Sequence, residues 1–133
     1  MFALATGCMR PDAVRTADIN PLGWRGTDTL RLEAVGKDTI SHRAISILFR
    51  FDNTFKNKEI PLTVRVTTPD SLWYEEGFTA VLGNPVRANN DFYEAAAPYR
   101  HDVVFMREGP YVFEIVNAGG ELRGLWGAGI VIE

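Results

Sequence analysis

The chain has 133 residues, of which 14 are Lys or Arg and 17 are Asp or Glu, so its formal net charge is −3. A chain of this length buries enough surface for one core without disulfides or a metal, and 46% hydrophobic residues exclude a disordered or collagen-like protein. The slightly acidic balance argues against a nucleic-acid-binding protein, because neutralising phosphates requires a basic surface.

The amino terminus resembles the end of a bacterial lipoprotein signal. Small residues precede the single cysteine in Leu4-Ala-Thr-Gly-Cys8, and a polar stretch follows it. In such signals the cysteine is lipidated and becomes the mature amino terminus. Residues 1–8 are shorter than a complete signal, whose apolar region alone has about 7–15 residues. We therefore interpret residues 1–8 as a partial signal and Cys8 as the lipidation site; the alternative is an ordinary cysteine near a frayed terminus.

The next segment, residues 9–26, differs in pattern from the remainder of the chain. It contains prolines and glycines without a sustained hydrophobic period, which predicts a tether. Residues 27–133 consist of short alternating apolar segments separated by Gly, Asn, Asp and Pro, and they predict a single all-β domain of about seven strands. Because no helices intervene, we expect an antiparallel β-sandwich, Ig-like or jelly-roll-like; an up-and-down barrel is the alternative.

Strand alternation also predicts which side chains form the core. It is clearest in residues 42–51 and 61–68, where apolar side chains occupy every second position. The expected core residues are Ile45, Ile47, Phe49, Phe51, Leu62, Val64, Val66, Val103, Phe105, Phe113 and Ile115.

The remaining elements follow from the turn residues between apolar segments. Further strands are expected at residues 29–35, 71–82, 99–106, 111–118 and 122–133. The strands at 99–106 and 111–118 flank a short turn and are predicted to form a hairpin. Residues 91–98 include three consecutive alanines and could form one helical turn. The glycines of the last strand are expected to bend it.

Several segments in this order carry a family resemblance. After the cysteine come Pro21-Leu-Gly-Trp24 and the strand Ile45-Ser-Ile-Leu-Phe-Arg-Phe-Asp-Asn53. They are followed by Tyr99-Arg-His-Asp-Val-Val-Phe105, Gly109-Pro-Tyr-Val-Phe-Glu-Ile115 and Gly129-Ile-Val-Ile-Glu133. Together they resemble the gliding-motility lipoprotein GldH family of Bacteroidota. The resemblance implies a noncatalytic, lipid-anchored component of the cell envelope that contacts proteins of the gliding machinery. No acidic cluster of the kind used for surface export follows Cys8, which favours a periplasm-facing location.

Carboxylates, histidines and other residues of catalytic or metal-binding type occur in this sequence without the spacing that catalysis or metal binding requires. Glycoside cleavage needs two carboxylates at a defined separation, whereas neighbouring Glu75 and Glu76 on a strand point to opposite faces. Asn89-Asn-Asp91 lacks the spaced ligands of an EF-hand, and neither His42 nor His101 belongs to a metal-binding motif. We expect no enzymatic activity, cofactor or metal.

Aromatic residues are the strongest candidates for a binding site. Trp73 with Tyr74, and Phe92 with Tyr93, flank the long loop at residues 83–91, and Trp126 could join them. Loops on a rigid sandwich commonly carry binding residues, and aromatic side chains commonly anchor interfaces. We select Trp73, Tyr74, Phe92 and Tyr93 as candidate interaction residues.

The expected partners follow from these assignments. The expected partner is another envelope protein. A lipid anchor is expected to be the only attachment to the membrane. The alternative function is an envelope-anchored glycan-binding module, which would need an exposed aromatic platform with polar neighbours.

Overall fold

The computed structural model describes residues 13–133, which form two antiparallel β-sheets. Their strands are β1 (Ala13–Asp18), β2 (Leu30–Gly36), β3 (Arg43–Phe51), β4 (Glu59–Thr67), β5 (Trp73–Val81), β6 (Val86–Arg87), β7 (Tyr93–Val103), β8 (Gly109–Asn117) and β9 (Leu125–Ile132). One sheet has the order β1-β9-β3-β7-β6 and the other β2-β8-β4-β5. The predicted all-β sandwich is confirmed. Within residues 13–133 no helix is long and apolar enough to cross a bilayer.

The core lies between the two sheets and follows the predicted alternation. In β3, the side chains of Ile45, Ile47, Phe49 and Phe51 are buried. Phe49 is completely buried and its ring centroid lies 6.3 Å from that of Trp24. The other predicted core residues are also buried, except that Val103 is only partly buried against the core.

The prediction of a tether over residues 9–26 is wrong for residues 13–26. β1 pairs with β9 along its whole length, from Ala13 opposite Ile132 to Asp18 opposite Gly127. Trp24 is buried beyond the end of β1, and its indole Nε1 donates a hydrogen bond to the Asp28 carbonyl oxygen at 2.8 Å. β1 is mostly exposed and is stabilised by pairing with a distant strand, so its own sequence carries little strand pattern. Cys8 lies outside the described residues.

The predicted helical turn at residues 91–98 is wrong as well. The three alanines belong to the long strand β7, where Ala95 lies opposite Phe49 and Ala97 opposite Ile47 of β3. Both alanines are buried. Small side chains at these positions leave space for the large side chains of β3, and pairing with β3 overrides the helix propensity of alanine.

The predicted hairpin of residues 99–106 with 111–118 is also wrong. β7 pairs with β3 and β6, whereas β8 pairs with β2 and β4 in the other sheet. Residues 104–108 therefore cross between the sheets. At this crossing the Tyr111 hydroxyl donates to the Arg107 carbonyl oxygen at 2.8 Å and accepts from the Arg107 N–H at 3.1 Å. These bonds form a tyrosine corner of the kind found in many sandwich domains.

A polar cluster joins the two sheets where β5 and β7 meet at their edges. The Glu76 carboxylate of β5 accepts a hydrogen bond from the Tyr99 hydroxyl of β7 at 2.6 Å and forms an ion pair with Arg100. The hydrogen bond from Tyr99 contributes most to lowering the pKa of Glu76. Burial, followed by the bond to Glu76, raises the pKa of Tyr99. The carboxylate thus remains ionised and holds the edges of the sandwich together.

Replacing Phe49 by alanine should destabilise the domain by about 3–5 kcal/mol, because it removes a fully buried ring and leaves a cavity. Urea unfolding at neutral pH measures the change. Val14→Ala on the exposed side of β1 is the control and should change stability by less than about 0.5 kcal/mol. A loss below about 1 kcal/mol for Phe49→Ala would contradict the central position assigned to this ring.

Candidate functional site

The four aromatic residues selected from the sequence lie on different sheets. Trp73 and Tyr74 are exposed on β5, the edge strand of the four-stranded sheet. The Arg65 guanidinium carbon lies 4.1 Å from the centroid of the Trp73 ring and so covers it. Phe92 and Tyr93 stand at the start of β7 in the five-stranded sheet. The predicted residues therefore do not form one surface.

Phe92 forms a site with Trp126 instead. The two rings meet edge to face, with centroids 5.1 Å apart. They border a groove of about 280 Å³ on the outer face of the five-stranded sheet. A shallower depression of about 480 Å³ adjoins it and shares both rings. We call this continuous surface the Phe92–Trp126 groove; its other lining residues include Thr16, Asp18, Leu48, Arg50, Asp52, Arg87, Asn90, Asp91, Glu94 and Gly127.

A β-bulge directs Trp126 into the groove. Arg50 lies opposite Gly127, but the next residue of β3, Phe51, lies opposite Leu125, so Trp126 is the extra residue of β9. Its neighbour Leu125 is completely buried, whereas Trp126 is 40% exposed. Bulges commonly redirect a side chain in this way.

Hydrogen bonding fixes the orientation of the Trp126 ring. Its indole Nε1 donates to Asp52 Oδ2 at 2.7 Å. Asp52 also accepts hydrogen bonds from the backbone N–H of Thr54 at 2.8 Å and from its hydroxyl. Partial burial raises the pKa of Asp52, but the bonds from Thr54 and Trp126 outweigh that effect and leave the pKa below its usual value. Asp52 therefore acts as a charged acceptor that holds the indole.

The loop before β7 positions Phe92. Asn89 Oδ1 accepts hydrogen bonds from the backbone N–H groups of Asp91 and Phe92, at 2.8 and 3.0 Å, which forms a tight turn. Tyr93 stacks on the buried ring of Phe51, with centroids 6.0 Å apart. The Arg87 guanidinium donates to the Tyr93 hydroxyl at 2.9 Å. Phe92 is therefore presented by an ordered loop, and Tyr93 serves mainly to attach that loop to the core.

Glycines of β9 leave the groove open beside β1. A Cβ atom at Gly129 would collide with the Arg15 carbonyl oxygen, and one at Gly127 would lie 3.3 Å from the Ala17 carbonyl oxygen. Both residues therefore allow β1 to approach closely. On the opposite side of the groove, Arg50 and Glu94 form an ion pair at 2.7 Å.

The groove offers apolar and charged contacts to a ligand. Two ring edges and the half-buried Leu48 supply apolar surface, while Asp18 and the Arg50–Glu94 pair supply charge around it. Among the described residues, no group of three or more His, Cys, Asp and Glu is arranged to hold a metal ion. This arrangement suits reversible binding of a side chain or a sugar ring.

Sequence reasoning selected Phe92 and named Trp126 as a residue that could join the aromatic face, but it did not include Trp126 among the four selected residues. The available signal was a lone tryptophan inside a glycine-rich strand, Leu125-Trp-Gly-Ala-Gly129. Comparison of the chain with protein-family models and with curated proteins finds no match.

Asp52→Asn should reduce stability by about 1 kcal/mol at pH 7, because a neutral acceptor replaces a charged one. The pKa of Asp52 in the folded protein lies below the ordinary Asp value of about 3.9. The stabilising effect of the Asp52 carboxylate is therefore fully present above about pH 3.9, and it is lost as the pH falls through the folded-state pKa. The stability difference between the two proteins should therefore shrink below about pH 4. Urea unfolding between neutral and acidic pH measures it, and a constant difference would contradict the assigned role.

Proposed function

We propose that this chain is a noncatalytic, lipid-anchored domain of the bacterial cell envelope, related to the gliding-motility lipoproteins. It acts by binding another envelope protein through the Phe92–Trp126 groove. Cys8 in its lipoprotein-like context supports the anchor, and the order of features along the chain supports the relationship. The pairing of the exposed Trp126 ring with the half-buried Phe92 ring at the mouth of the groove is the observation that supports binding.

The groove has the composition of a protein-binding hot spot. Such sites place a few aromatic anchors at the centre of a contact and surround them with polar groups that exclude water. Phe92 and Trp126 supply the anchors, and the Arg50–Glu94 pair supplies part of the polar rim. Both rings are held by neighbouring contacts before a partner arrives, so binding costs little conformational entropy.

The state of Asp52 argues against a general acid at this position in the groove. A general acid at neutral pH needs a raised pKa, but hydrogen bonds from Thr54 and Trp126 keep Asp52 ionised. Glu94 is likewise engaged in an ion pair with Arg50. Both carboxylates thus serve to orient neighbouring side chains.

A second candidate function is glycan binding at the same groove. The exposed ring of Trp126 has Asp52, Asn90 and Asp91 around it, which fits an aromatic platform with polar neighbours. Saturable binding of an oligosaccharide that disappears in Trp126→Ala would favour this candidate over a protein partner. Isothermal titration against peptidoglycan and polysaccharide fragments provides that measurement.

Cys8→Ser should abolish lipid attachment in cells that express the complete gene. Wild-type protein is expected in the detergent phase after phase separation, whereas the variant should move to the aqueous phase. A periplasm-facing anchor further predicts that protease added to intact cells leaves the protein uncut. Aqueous partitioning of both proteins would contradict the lipid anchor, and cleavage in intact cells would contradict the orientation.

The double variant Phe92→Ala/Trp126→Ala should lose its partner in crosslinking and pull-down from native membranes. We expect capture to fall by at least about tenfold, since each of two anchors contributes more than about 1 kcal/mol. The matched control is Trp73→Ala/Tyr74→Ala, which removes an exposed aromatic pair from the other sheet and should retain the partner. If the groove variant is folded and retains every partner, the groove is not the binding site.

A further inference from the structure

Three loops come together at the end of the sandwich where β1 begins. The loops are residues 37–42, 68–72 and 104–108. Strand pairing places all three at this end, because the strand residues that flank them lie opposite one another. The pairs are Gly36 with Gly109, Arg43 with Val103, and Thr67 with both Trp73 and Val112. Ala13, the first residue of β1, lies at the same end, opposite Ile132. We call this the Ala13 end. The loops before β7 and β9 lie at the opposite, Trp126 end.

Each of the three loops exposes one large apolar side chain. Ile40 is 82% exposed, Leu72 66% and Met106 81%. A single exposed apolar residue needs no explanation, but three on loops at the same end of the sandwich call for one. The loops are close together, since Thr39, Asp70 and Met106 line one depression.

Hydrogen bonds and ion pairs hold these loops in place. Asp38 Oδ1 accepts hydrogen bonds from the N–H groups of Ile40 and Ser41, and its other oxygen pairs with Arg43 at 2.9 Å. Asp70 pairs with Arg107 at 2.9 Å and so ties two of the loops together. The apolar tips are therefore presented on ordered turns in which Asp38 and Asp70 are paired with arginines.

The position of Cys8 favours a lipid bilayer as the partner of this end. Cys8 precedes Ala13 by five residues, and a fully extended chain of that length spans at most about 18 Å. A lipid on Cys8 would therefore hold the Ala13 end close to the membrane surface. Because β1 begins at Ala13, four residues separate Cys8 from the first described residue.

We propose that Ile40, Leu72 and Met106 insert into the headgroup region of the membrane that holds the anchor. This inference rests on the lipid anchor of the proposed function. Apolar side chains at such an interface bury about 5–10 Å deep, and a second contact strengthens attachment through a lipid chain. The domain then stands on its Ala13 end. Arg50 of the groove lies seven residues after Arg43, the first residue of β3, so at a rise of about 3.3 Å per residue the Phe92–Trp126 groove lies about 23 Å farther from the bilayer.

The test couples the full chain to vesicles through Cys8, its only cysteine. Vesicles of phosphatidylethanolamine and phosphatidylglycerol carry a maleimide lipid, and hydrogen exchange is followed by mass spectrometry. The reference is the same chain capped with N-ethylmaleimide and mixed with the same vesicles. Exchange at residues 37–42, 68–72 and 104–108 should slow by about tenfold, equivalent to about 1.4 kcal/mol of added loop stability. Residues 19–29 and 83–92 at the Trp126 end should not change.

Two variants separate insertion from mere proximity. Ile40→Ser/Leu72→Ser/Met106→Ser should lose the protection while keeping wild-type urea unfolding, because all three side chains are exposed. Leu22→Ser/Val86→Ser replaces two exposed apolar residues at the Trp126 end and should keep the protection.

Three results would overturn the inference. The first is unchanged exchange of the three loops in the coupled chain, and the second is equal protection in the triple variant. The third is protection by detergent-solubilised envelope proteins but not by vesicles, which would assign this end to a protein partner.

Chemical coupling replaces lipidation by the cell, so these results are independent of the partitioning of Cys8→Ser. Aqueous partitioning of the wild-type protein would remove the cellular anchor and leave the exchange result intact.

Discussion

The pairing of β1 with β9 is the constraint on which the rest of this structure depends. It brings residues 13–18 into the five-stranded sheet and shortens the segment after Cys8 to a few residues. It also supplies one side of the groove, where Thr16 and Asp18 stand beside the glycines of β9. Because Gly129 has no side chain, the Arg15 backbone can approach it closely. A larger residue at Gly129 would force β1 away and alter the side of the groove that β1 forms.

The two ends of the sandwich differ in chemistry, and the difference suits an anchored binding domain. The Ala13 end presents Ile40, Leu72 and Met106 on loops whose aspartates are paired with arginines. The Trp126 end also exposes Leu22 and Val86, but it carries the Phe92–Trp126 groove with its carboxylates and arginines. Antiparallel strands of about nine residues separate the two ends. Under the proposed function, this geometry directs the groove away from the membrane and toward other envelope proteins.

The candidate site was only partly predictable because its main residue depends on register. Phe92 was recognisable beside a long loop, but nothing in the sequence near Trp126 indicates a bulge between β9 and β3. The bulge is a relation between two strands far apart in the chain, and it decides which face Trp126 occupies. Similarly, Trp73 and Tyr74 were grouped with Phe92 and Tyr93 by sequence position, whereas strand order places the two pairs on different sheets.

The sequence by itself determined the all-β class and most of the core, because side-chain alternation is a local property of a strand. Phe49 and Val64 were predictable for that reason. Only the tertiary structure decided that residues 13–18 form a strand, that Ala95 and Ala97 face β3, and that β7 and β8 belong to different sheets. Each of these outcomes depends on a partner strand distant in sequence, and the free energy of that pairing exceeds the weak local propensities of the segments involved.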